Sequence, residues 1–480
     1  MLLDQDQCYR ALRTHDARFD GRFFVGVATT GIYCRPVCTA RTPHQRNCRF
    51  FPSAAAAEAG GFRPCLRCRP ELAPGYAVVD ANRRLAQAAA GLIEDGRLTD
   101  ARLPDLADTL GVTDRHLRRV FQDEFGVAPV EYAQTQRLLL AKRLLTDTDM
   151  AVLDVAMASG FASLRRFNHL FRERYRMTPA ELRHRAPARE PLGTLAFDLA
   201  FRPPYDWDAM LSFLERRAIP GVEAVSAGRY LRTLHVQHRG KRHAGWLQAA
   251  PSRRRAALRV TVSASLAAVL PAVLSRAKHL FDLACRPDEI AAVLGPLAAA
   301  RPGLRLPGAV DGFEVAVRAI LGQQVTVRAA STIAARFVGA FGEAFETPHA
   351  ALHRLFPEAA AIAVRDPGEI AGLGILATRA RAIVALAREI DAGRLRLEPT
   401  APLEDTLAAL EALPGVGPWT AQYIAMRALA WPDAFPHPDV AVLKAMAERM
   451  APRALATAES WRPWRAYAVL HLWKSLETPT

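Results

Sequence analysis

FVGVATTGIYCRPVCTAR, residues 24–41, and GFRPCLRCR, residues 61–69, contain four cysteines in two close pairs. The pairs are spaced C-x3-C and C-x2-C, 26 residues separate them, and the four residues are Cys34, Cys38, Cys65 and Cys68. Two close pairs joined by a medium loop are typical of a tetrahedral zinc site with four thiolate ligands. The sequence therefore predicts a small, metal-stabilised α+β domain at the start of the chain.

Five arginines flank the two cysteine pairs: Arg35, Arg41, Arg63, Arg67 and Arg69. Zinc keeps thiols deprotonated at neutral pH, which is their nucleophilic form, and four thiolates around Zn²⁺ carry a net charge of about −2. Guanidinium groups around such a cluster suit the approach of a DNA phosphate. The spacing leaves one alternative open, an inert zinc knuckle that only holds a small domain together.

The bulk composition is that of a large, basic, globular protein. The chain has 480 residues and a net charge of +15, which predicts three or four domains and suits a polyanionic partner. A general bias toward Arg and Ala explains the charge equally well. We see no signal-peptide pattern and no apolar run of about 18 residues, so we expect a cytoplasmic protein without membrane contact. Cys8, Cys48 and Cys285 are interpreted as small hydrophobic residues in a reducing compartment.

An internal repeat with an offset of 50 residues follows the cysteine region. It pairs Leu117 with Phe167, Val120 with Leu170, Phe121 with Phe171, Phe125 with Tyr175, Pro129 with Pro179 and Glu131 with Glu181. The apolar members recur at i, i+3, i+4 and i+8, which predicts one face of a helix, and Gly111 and Gly160 predict a turn before each helix. This is the pattern of two helix-turn-helix units.

The outward faces of the two predicted helices carry side chains that can contact bases or phosphates. They are Arg115, His116, Arg118, Arg119 and Gln122 in the first copy, and Arg165, Arg166, Asn168, His169 and Arg172 in the second. A solvated basic face is the alternative for either helix alone. Two such helices in tandem, each after a turn, favour DNA binding.

Residues 80–185 resemble the AraC-type activator family, and the cysteine region resembles the amino-terminal domain of the Ada adaptive-response family. The second resemblance implies one zinc ion, both structural and thiolate-activating, and a single methyl transfer from a methylated DNA phosphate to Cys34. It also implies that Thr30, Arg41 and Arg63 contact the DNA backbone. Methylation would remove one negative charge from the cluster and weaken its repulsion of DNA, so that promoter binding tightens. The activator resemblance implies RNA polymerase as a partner.

In the carboxy-terminal half, residues 413–421 read LPGVGPWTA and residues 435–440 read FPHPDV. A hairpin with Gly415 and Gly417 between two helices exposes backbone N–H groups that can bind a DNA phosphate. Asp439 follows a proline-rich turn about 20 residues later. A carboxylate facing such a hairpin is the arrangement of helix-hairpin-helix base-excision glycosylases. The alternative for Asp439 is a helix N-cap.

Residues 193–478 resemble the AlkA family of alkylbase glycosylases. The resemblance is carried by FRPPYDW (201–207), LFDL (280–283), VRAILGQQV (317–325) and WRAYAVLHLW (464–473). It implies a base pocket of Trp419, Tyr423 and Trp473, a gap-filling Gln324 and a catalytic Asp439. Trp419 stands where glycosylases that also cut the backbone have a lysine, and no cysteine follows Cys285. We therefore expect a monofunctional enzyme without an iron–sulfur cluster.

The predicted architecture is multidomain. An α+β zinc domain (1–75), an all-α AraC-type tandem helix-turn-helix domain (76–187), a mixed α+β subdomain (193–305) and an all-α helix-hairpin-helix glycosylase domain (306–480) follow one another. Strands are predicted at Leu195–Arg202, Tyr230–His238 and Leu258–Val262, and a linker at Pro187, Pro191 and Gly193.

The predicted function is twofold, an alkylation-responsive transcriptional activator and a DNA-3-methyladenine glycosylase II. We expect a monomer that acts on double-stranded DNA in the nucleoid. Two alternatives remain, a regulator with a catalytically silent glycosylase half and a glycosylase with a zinc-stabilised DNA clamp.

Overall fold

The structure is a computed structural model that describes residues 4–16, 19–73, 81–94, 98, 102–148, 150–184, 193–238, 240–253 and 255–477. The predicted multidomain arrangement of α+β and all-α units is confirmed. The domain boundary predicted near residue 75 and the linker prolines Pro187 and Pro191 lie outside the described residues.

The first unit is a four-stranded sheet with two helices. Its elements are α1 (Gln5–Arg13), β1 (Phe24–Val27), β2 (Ile32–Cys34), β3 (Cys48–Phe51), α2 (Ala54–Ala59) and β4 (Arg63–Pro64). The strand order is β3-β1-β2-β4, with β1 antiparallel to β2 and β3, and β2 parallel to β4. Helix α1 precedes the sheet, and α2 lies between β3 and β4 along the chain. The strands have two to four residues each, too few for an alternating pattern to show in the sequence.

Gly26 lies at a close approach inside this sheet. A Cβ atom at Gly26 would be 2.8 Å from a ring carbon of Phe51 and 2.9 Å from Phe62. Any side chain there would push apart the aromatic residues that pack α2 onto the sheet.

The second unit is helical throughout its described residues. Its helices are α3 (Ala81–Glu94), α4 (Leu103–Thr109), α5 (Asp114–Phe125), α6 (Pro129–Asp147), α7 (Val152–Ala158), α8 (Leu164–Tyr175) and α9 (Pro179–His184).

The 50-residue repeat is visible in the way the two helices α5 and α8 begin and end. Thr113 and Ser163 are their N-caps, and each side chain accepts a hydrogen bond from the backbone N–H three residues later. The helices end at residues with φ of 74° (Gly126) and 57° (Arg176), the left-handed conformation of a C-cap. The repeat therefore specifies two equivalent helix-turn-helix units.

The third unit is an antiparallel sheet with helices. Its elements are β5 (Thr194–Ala200), α10 (Trp207–Glu215), β6 (Glu223–Ser226), β7 (Arg229–His238), β8 (Lys241–Pro251), β9 (Ala257–Ser263), α11 (Leu270–Leu280), α12 (Pro287–Leu294) and α13 (Pro296–Ala299). The strand order is β5-β9-β8-β7-β6, so β5 and β6 are the outer strands. The three predicted strands are confirmed as β5, β7 and β9. The sequence analysis missed β6 and β8.

The fourth unit is a helical bundle with one very short two-stranded ladder, which the all-α prediction did not include. Its elements are α14 (Gly312–Leu321), α15 (Val327–Phe341), β10 (Glu343–Ala344), β11 (Arg354–Leu355), α16 (Ala359–Ala363), α17 (Pro367–Ala371), α18 (Ala377–Asp391), α19 (Leu403–Glu411), α20 (Pro418–Arg427), α21 (Val440–Ala445), α22 (Ala451–Ala458) and α23 (Arg465–Ser475).

The apolar cores do not coincide with the four units. One core fills the helical bundle, while another contains residues of the second helix-turn-helix unit together with residues of the five-stranded sheet. Among the described residues, we find no helix with the length and apolarity needed to cross a membrane.

Candidate functional site

The four predicted metal ligands come together in one cluster. Their Sγ atoms all lie within 4.8 Å of one another. Parallel pairing of β2 and β4 places Cys34 beside Cys65, and the backbone N–H of Cys65 donates to the carbonyl of Tyr33 over 3.0 Å. Four thiolates at this separation repel one another strongly, and a tetrahedral divalent cation with soft-ligand affinity removes that repulsion. The donor set and its burial fit one zinc ion.

The four sulfurs differ in the hydrogen bonds that they accept. The sulfur of Cys68 accepts the backbone N–H of Arg35 over 3.3 Å. The sulfur of Cys34 interacts with the sulfurs of the other three cysteines. The four sulfurs therefore form one mutually interacting group, in which the charge of Cys68 is reduced by a backbone hydrogen bond.

Two of the five arginines expected around the cluster hold the protein together instead. Arg35 is 7% exposed, forms an ion pair with Asp20 and donates to the carbonyl of Cys68 over 3.2 Å. Arg69 donates to Glu71 over 2.9 Å and to Asp147 over 2.7 Å. The interpretation of these two residues as DNA-facing was wrong, because buried carboxylates distant in sequence take up their charge.

The remaining predicted contacts of this unit lie at its surface. Thr30, Arg41 and Arg67 are exposed, and Arg63 is half-buried next to the cluster. Their role in DNA contact stays a prediction.

The two helix-turn-helix units present their polar faces as expected. Leu117, Phe121, Phe167 and Phe171 are fully buried. The side chains on the opposite faces are exposed, and they are Arg118, Arg119, Arg165, Arg166, Asn168 and His169. Arg118 forms an ion pair with Asp114 over 3.0 Å, so its guanidinium is already partly engaged.

The hairpin between α19 and α20 is hydrogen-bonded to Gln323, a residue for which the sequence predicted no role. Gln323 donates from Nε2 to the carbonyl of Gly415 and to Oγ1 of Thr420, both over 2.9 Å. The backbone carbonyl of Gln323 in turn accepts from the buried Arg379. Gln324, the next residue, is exposed and has a φ of 52°. The loop after α14 thus holds the hairpin with one glutamine and presents the next to solvent.

Asp439 is the N-cap of a helix and also lies against the predicted pocket aromatics, while its catalytic role stays a prediction. Its Oδ1 accepts from the backbone N–H of Val442 over 2.9 Å, so it is the N-cap of α21. The same carboxylate accepts from both pocket indoles, with Trp419 Nε1 at 2.8 Å from Oδ2 and Trp473 Nε1 at 3.1 Å from Oδ1. Three N–H donors therefore fix the carboxylate at the aromatic wall.

The three predicted pocket aromatics form one continuous wall. Trp419 and Tyr423 stack at 5.3 Å and 14°, and the ring of Trp473 lies 6.3 Å from that of Tyr423. The hydroxyl of Tyr423 accepts from Arg427 over 3.0 Å. Burial would raise the pKa of Tyr423, but Arg427 and Arg217 hold it below its ordinary value. Neither arginine was foreseen, because Arg427 at the end of α20 and Arg217 in the turn after α10 reach Tyr423 only through the fold.

Replacement of Gln323 by alanine is expected to weaken binding of lesion-containing DNA about 5- to 30-fold. The substitution removes two hydrogen bonds that join the loop to the hairpin, worth about 1–2 kcal/mol together. Fluorescence anisotropy with a duplex that carries an abasic-site analogue measures this. Gln237→Ala is the matched control, because the Gln237 side chain donates to Glu358 on the exposed surface over 3.1 Å, away from the hairpin. Equal affinities of the two variants for this duplex would show that the hydrogen bonds of Gln323 to the hairpin do not contribute to DNA binding.

The fold and these sites define a class, a DNA-binding protein with a four-thiolate metal centre, two helix-turn-helix units and a base-excision hairpin. Four family models match in the same order. They are the metal-binding domain of Ada (residues 7–71), a helix-turn-helix domain (106–185), the AlkA N-terminal domain (196–311) and the HhH-GPD superfamily of base excision DNA repair proteins (317–460).

Relatives and a solved structure agree with these matches. A probable bifunctional transcriptional activator/DNA repair enzyme AlkA from Mycobacterium tuberculosis is 40% identical over 99% of this chain and 97% of its own length. DNA-3-methyladenine glycosylase 2 of Escherichia coli is 39% identical over 58% of this chain and 96% of its own length. A 3-methyladenine DNA-glycosylase from Archaeoglobus fulgidus shares the fold, with a TM-score of 0.50 and 22% identity over 58% of this chain and 97% of that chain.

The chain belongs to the family of bifunctional transcriptional activator/DNA repair enzymes. Its domains fit both activities, its four-cysteine cluster is a zinc site, and DNA is its partner.

Proposed function

We propose that this protein removes alkylated bases such as 3-methyladenine by hydrolysis at Asp439 and takes up one methyl group from a DNA methylphosphotriester on Cys34. The observation that carries the first activity is the carboxylate of Asp439, held by the indole N–H groups of Trp419 and Trp473. The second is supported by the four-thiol cluster and by the match of residues 7–71 to the metal-binding domain of Ada.

Base release needs little from the protein beyond position and charge. The damaged nucleotide leaves the stack to reach the pocket, and Gln324 would occupy the gap. A base alkylated at N3 or N7 is cationic, and the faces of Trp419 and Tyr423 attract it by about 0.5–2 kcal/mol per ring. Such a base is already a good leaving group. The Asp439 carboxylate stabilises the positive charge that develops on the sugar and orients the attacking water.

The hairpin suits a monofunctional glycosylase. Residues 413–421 contain no lysine, and Trp419 stands at the place of a Schiff-base nucleophile. The amide groups at Gly415 and Gly417 would hold the phosphate near the flipped nucleotide.

Methyl transfer at the other end is a direct displacement. The Cys34 sulfur forms a bond to the methyl carbon, the bond from that carbon to the phosphate oxygen breaks, and the phosphodiester leaves as an anion. Cys34, Cys38, Cys65 and Cys68 would hold zinc, which when bound would keep the attacking thiol deprotonated. A thiolate that accepts a backbone N–H bond is a weaker nucleophile, which disfavours Cys68, whose sulfur accepts from Arg35. Thr30, Arg41 and Arg63 are the proposed backbone contacts.

The division into units at residues 1–75, 76–187, 193–305 and 306–480 is part of the proposal. The exposed faces of α5 and α8, through Arg118, Arg119, Arg165, Arg166, Asn168 and His169, would bind promoter DNA. We further propose that the activator acts on RNA polymerase as a monomer in the nucleoid, since two DNA-reading units and a repair site on one chain favour a DNA-associated protein.

One experiment separates this proposal from a regulator with a silent glycosylase half. The purified, zinc-loaded chain is incubated with methylated DNA; released bases are analysed by chromatography, and the peptide with Cys34 is analysed by mass spectrometry. Free 3-methyladenine and a gain of one methyl group on Cys34 are the expected results. Methylated Cys34 without base release would support the silent alternative, which the helix-capping role of Asp439 keeps open. Base release without methyl transfer would support the other alternative, a glycosylase whose zinc domain is only a DNA clamp.

A further inference from the structure

The end of helix α6 meets both the zinc domain and the glycosylase half. On the zinc-domain side, Lys142 donates to Glu71 over 2.8 Å, and Asp147 accepts from Arg69 over 2.7 Å. Arg69 directly follows the zinc ligand Cys68, and its backbone N–H donates to the carbonyl of Cys65 over 3.3 Å. The ion pairs of α6 therefore hold the segment that carries two of the four metal ligands.

On the glycosylase side, α6 covers an outer strand. The guanidinium carbon of Arg143 lies 4.4 Å from the ring centroid of Phe197, and the same side chain donates to the carbonyl of Asp198 over 3.1 Å. Both residues belong to β5, whose one partner strand among the described residues is β9. Outer strands expose unpaired backbone groups and are commonly covered by another element. Arg143 supplies a donor to one of these groups.

Asp147 interacts both with Arg69 of the zinc domain and with Arg143, the residue of α6 that contacts β5. Its carboxylate lies 3.9 Å from Nε of Arg143 and also accepts from Arg69. Lys142 is 1% exposed and Arg143 is 4% exposed, so these charges are shielded from solvent and from salt. Burial lowers the pKa of Arg143 to about 10, which leaves the guanidinium charged at neutral pH. Arg69, Asp147 and Arg143 thus form an alternating chain of charges.

The apolar packing around this chain is continuous. Phe167 and Phe171 of the second helix-turn-helix unit share one buried core with Phe197 and other inward residues of the five-stranded sheet. Domains that are joined only by a linker usually keep small, polar interfaces. The shared core and the buried charges indicate that the two halves stay docked.

We propose that the last two turns of α6 form an interaction surface that couples the zinc cluster to the outer strand β5 of the glycosylase half. When zinc leaves, the segment between Cys65 and Arg69 loses its metal bonds and loosens. Asp147 then loses its partner Arg69, Arg143 is held less firmly, and the outer edge of β5 opens more often. The coupling is reciprocal, so a loosened β5 weakens zinc binding.

The test is amide hydrogen exchange by mass spectrometry on the full-length chain, zinc-loaded and after removal of zinc with a chelator. In the wild type, zinc removal is expected to increase exchange of the β5 peptide at least about fivefold. In Arg143→Met, which keeps the apolar stem and removes the charged contact, β5 should exchange fast already with zinc bound. Zinc removal should then add less than about twofold, since the coupling is gone.

Arg259→Met is the matched control, because Arg259 lies on β9 and pairs with the carboxylate of Asp198 over 3.2 Å within the sheet. This variant should keep the full response to zinc. Asp147→Asn is a second test variant, and it preserves side-chain size. It allows the coupling to be tested even where Arg143→Met has a folding defect. A β5 peptide that ignores zinc in the wild type, or responds equally in all variants, would overturn the proposal.

Discussion

Asp439→Asn is expected to lower the rate of base release about a thousandfold while DNA affinity changes less than about threefold. A carboxylate about 4 Å from a developing sugar cation stabilises it by about 4 kcal/mol at an effective dielectric constant near 20. This energy corresponds to about three powers of ten in rate. Single-turnover release of 3-methyladenine measures the first quantity, and anisotropy with an abasic-site analogue measures the second.

The asparagine also changes local hydrogen bonding, and this effect must be separated from the loss of charge. Its amide nitrogen would face the Trp419 indole N–H, so one of the three bonds to residue 439 is lost at a cost of about 1–2 kcal/mol in stability. Asparagine remains a good N-cap, and α21 should persist. Asp366→Asn, at another helix-capping aspartate of the same half, is the control and should excise normally. Undiminished excision by Asp439→Asn would leave Asp439 with its capping role alone.

Cys34→Ser is expected to abolish methyl uptake and the accompanying gain in promoter affinity. A serine hydroxyl is not deprotonated at neutral pH as the thiol is, so the nucleophile disappears. In the wild type, methylation takes the cluster from about −2 to about −1, and weaker repulsion of the DNA backbone should tighten binding at least about tenfold at low salt. Mass spectrometry of the peptide and salt-dependent promoter titrations before and after methylation measure the two effects.

Two further cysteine variants locate the effect at this sulfur. Cys48→Ser removes a half-buried thiol outside the cluster, which donates to the His44 carbonyl over 3.4 Å, and it should methylate normally. Cys38→Ser removes a metal ligand but leaves Cys34 in place. Methyl label on a ligand other than Cys34 in the wild type would contradict the assignment of Cys34 as the nucleophile.

Short, dense motifs made much of this protein predictable. The spacing of the four cysteines fixes a ligand set because thiolate chemistry and the tetrahedral metal leave few other uses for it. The hairpin at residues 413–421 lies between two helices as predicted, one ending at Glu411 and the next beginning at Pro418. The 50-residue repeat predicted two equivalent helix-turn-helix units. Thr113 and Ser163, which are 50 residues apart, are the N-caps at which the two equivalent helices begin.

The elements that escaped prediction carry weak local patterns. Strands β1 to β4 are too short for alternation to appear, and their pairing depends on contacts such as Gly26 against Phe51 and Phe62. Strand β8 begins KRHAGW, which reads as polar, yet it is the central strand of its sheet because β7 and β9 pair with its two edges.

The sequence by itself determined the ligand cysteines, the candidate carboxylate and the order of the units, because each depends on residue type and short spacing. Only the tertiary structure decided which charges stay exposed at the surface and which hold the protein together. Arg35 pairs with Asp20 at a separation of 15 residues, Arg69 with Asp147 at 78, and Gln323 with Gly415 at 92. A buried charge or amide takes whichever complementary group the fold places beside it, and no local pattern records that choice. For the same reason, the docking of α6 onto β5 became visible only in the folded chain.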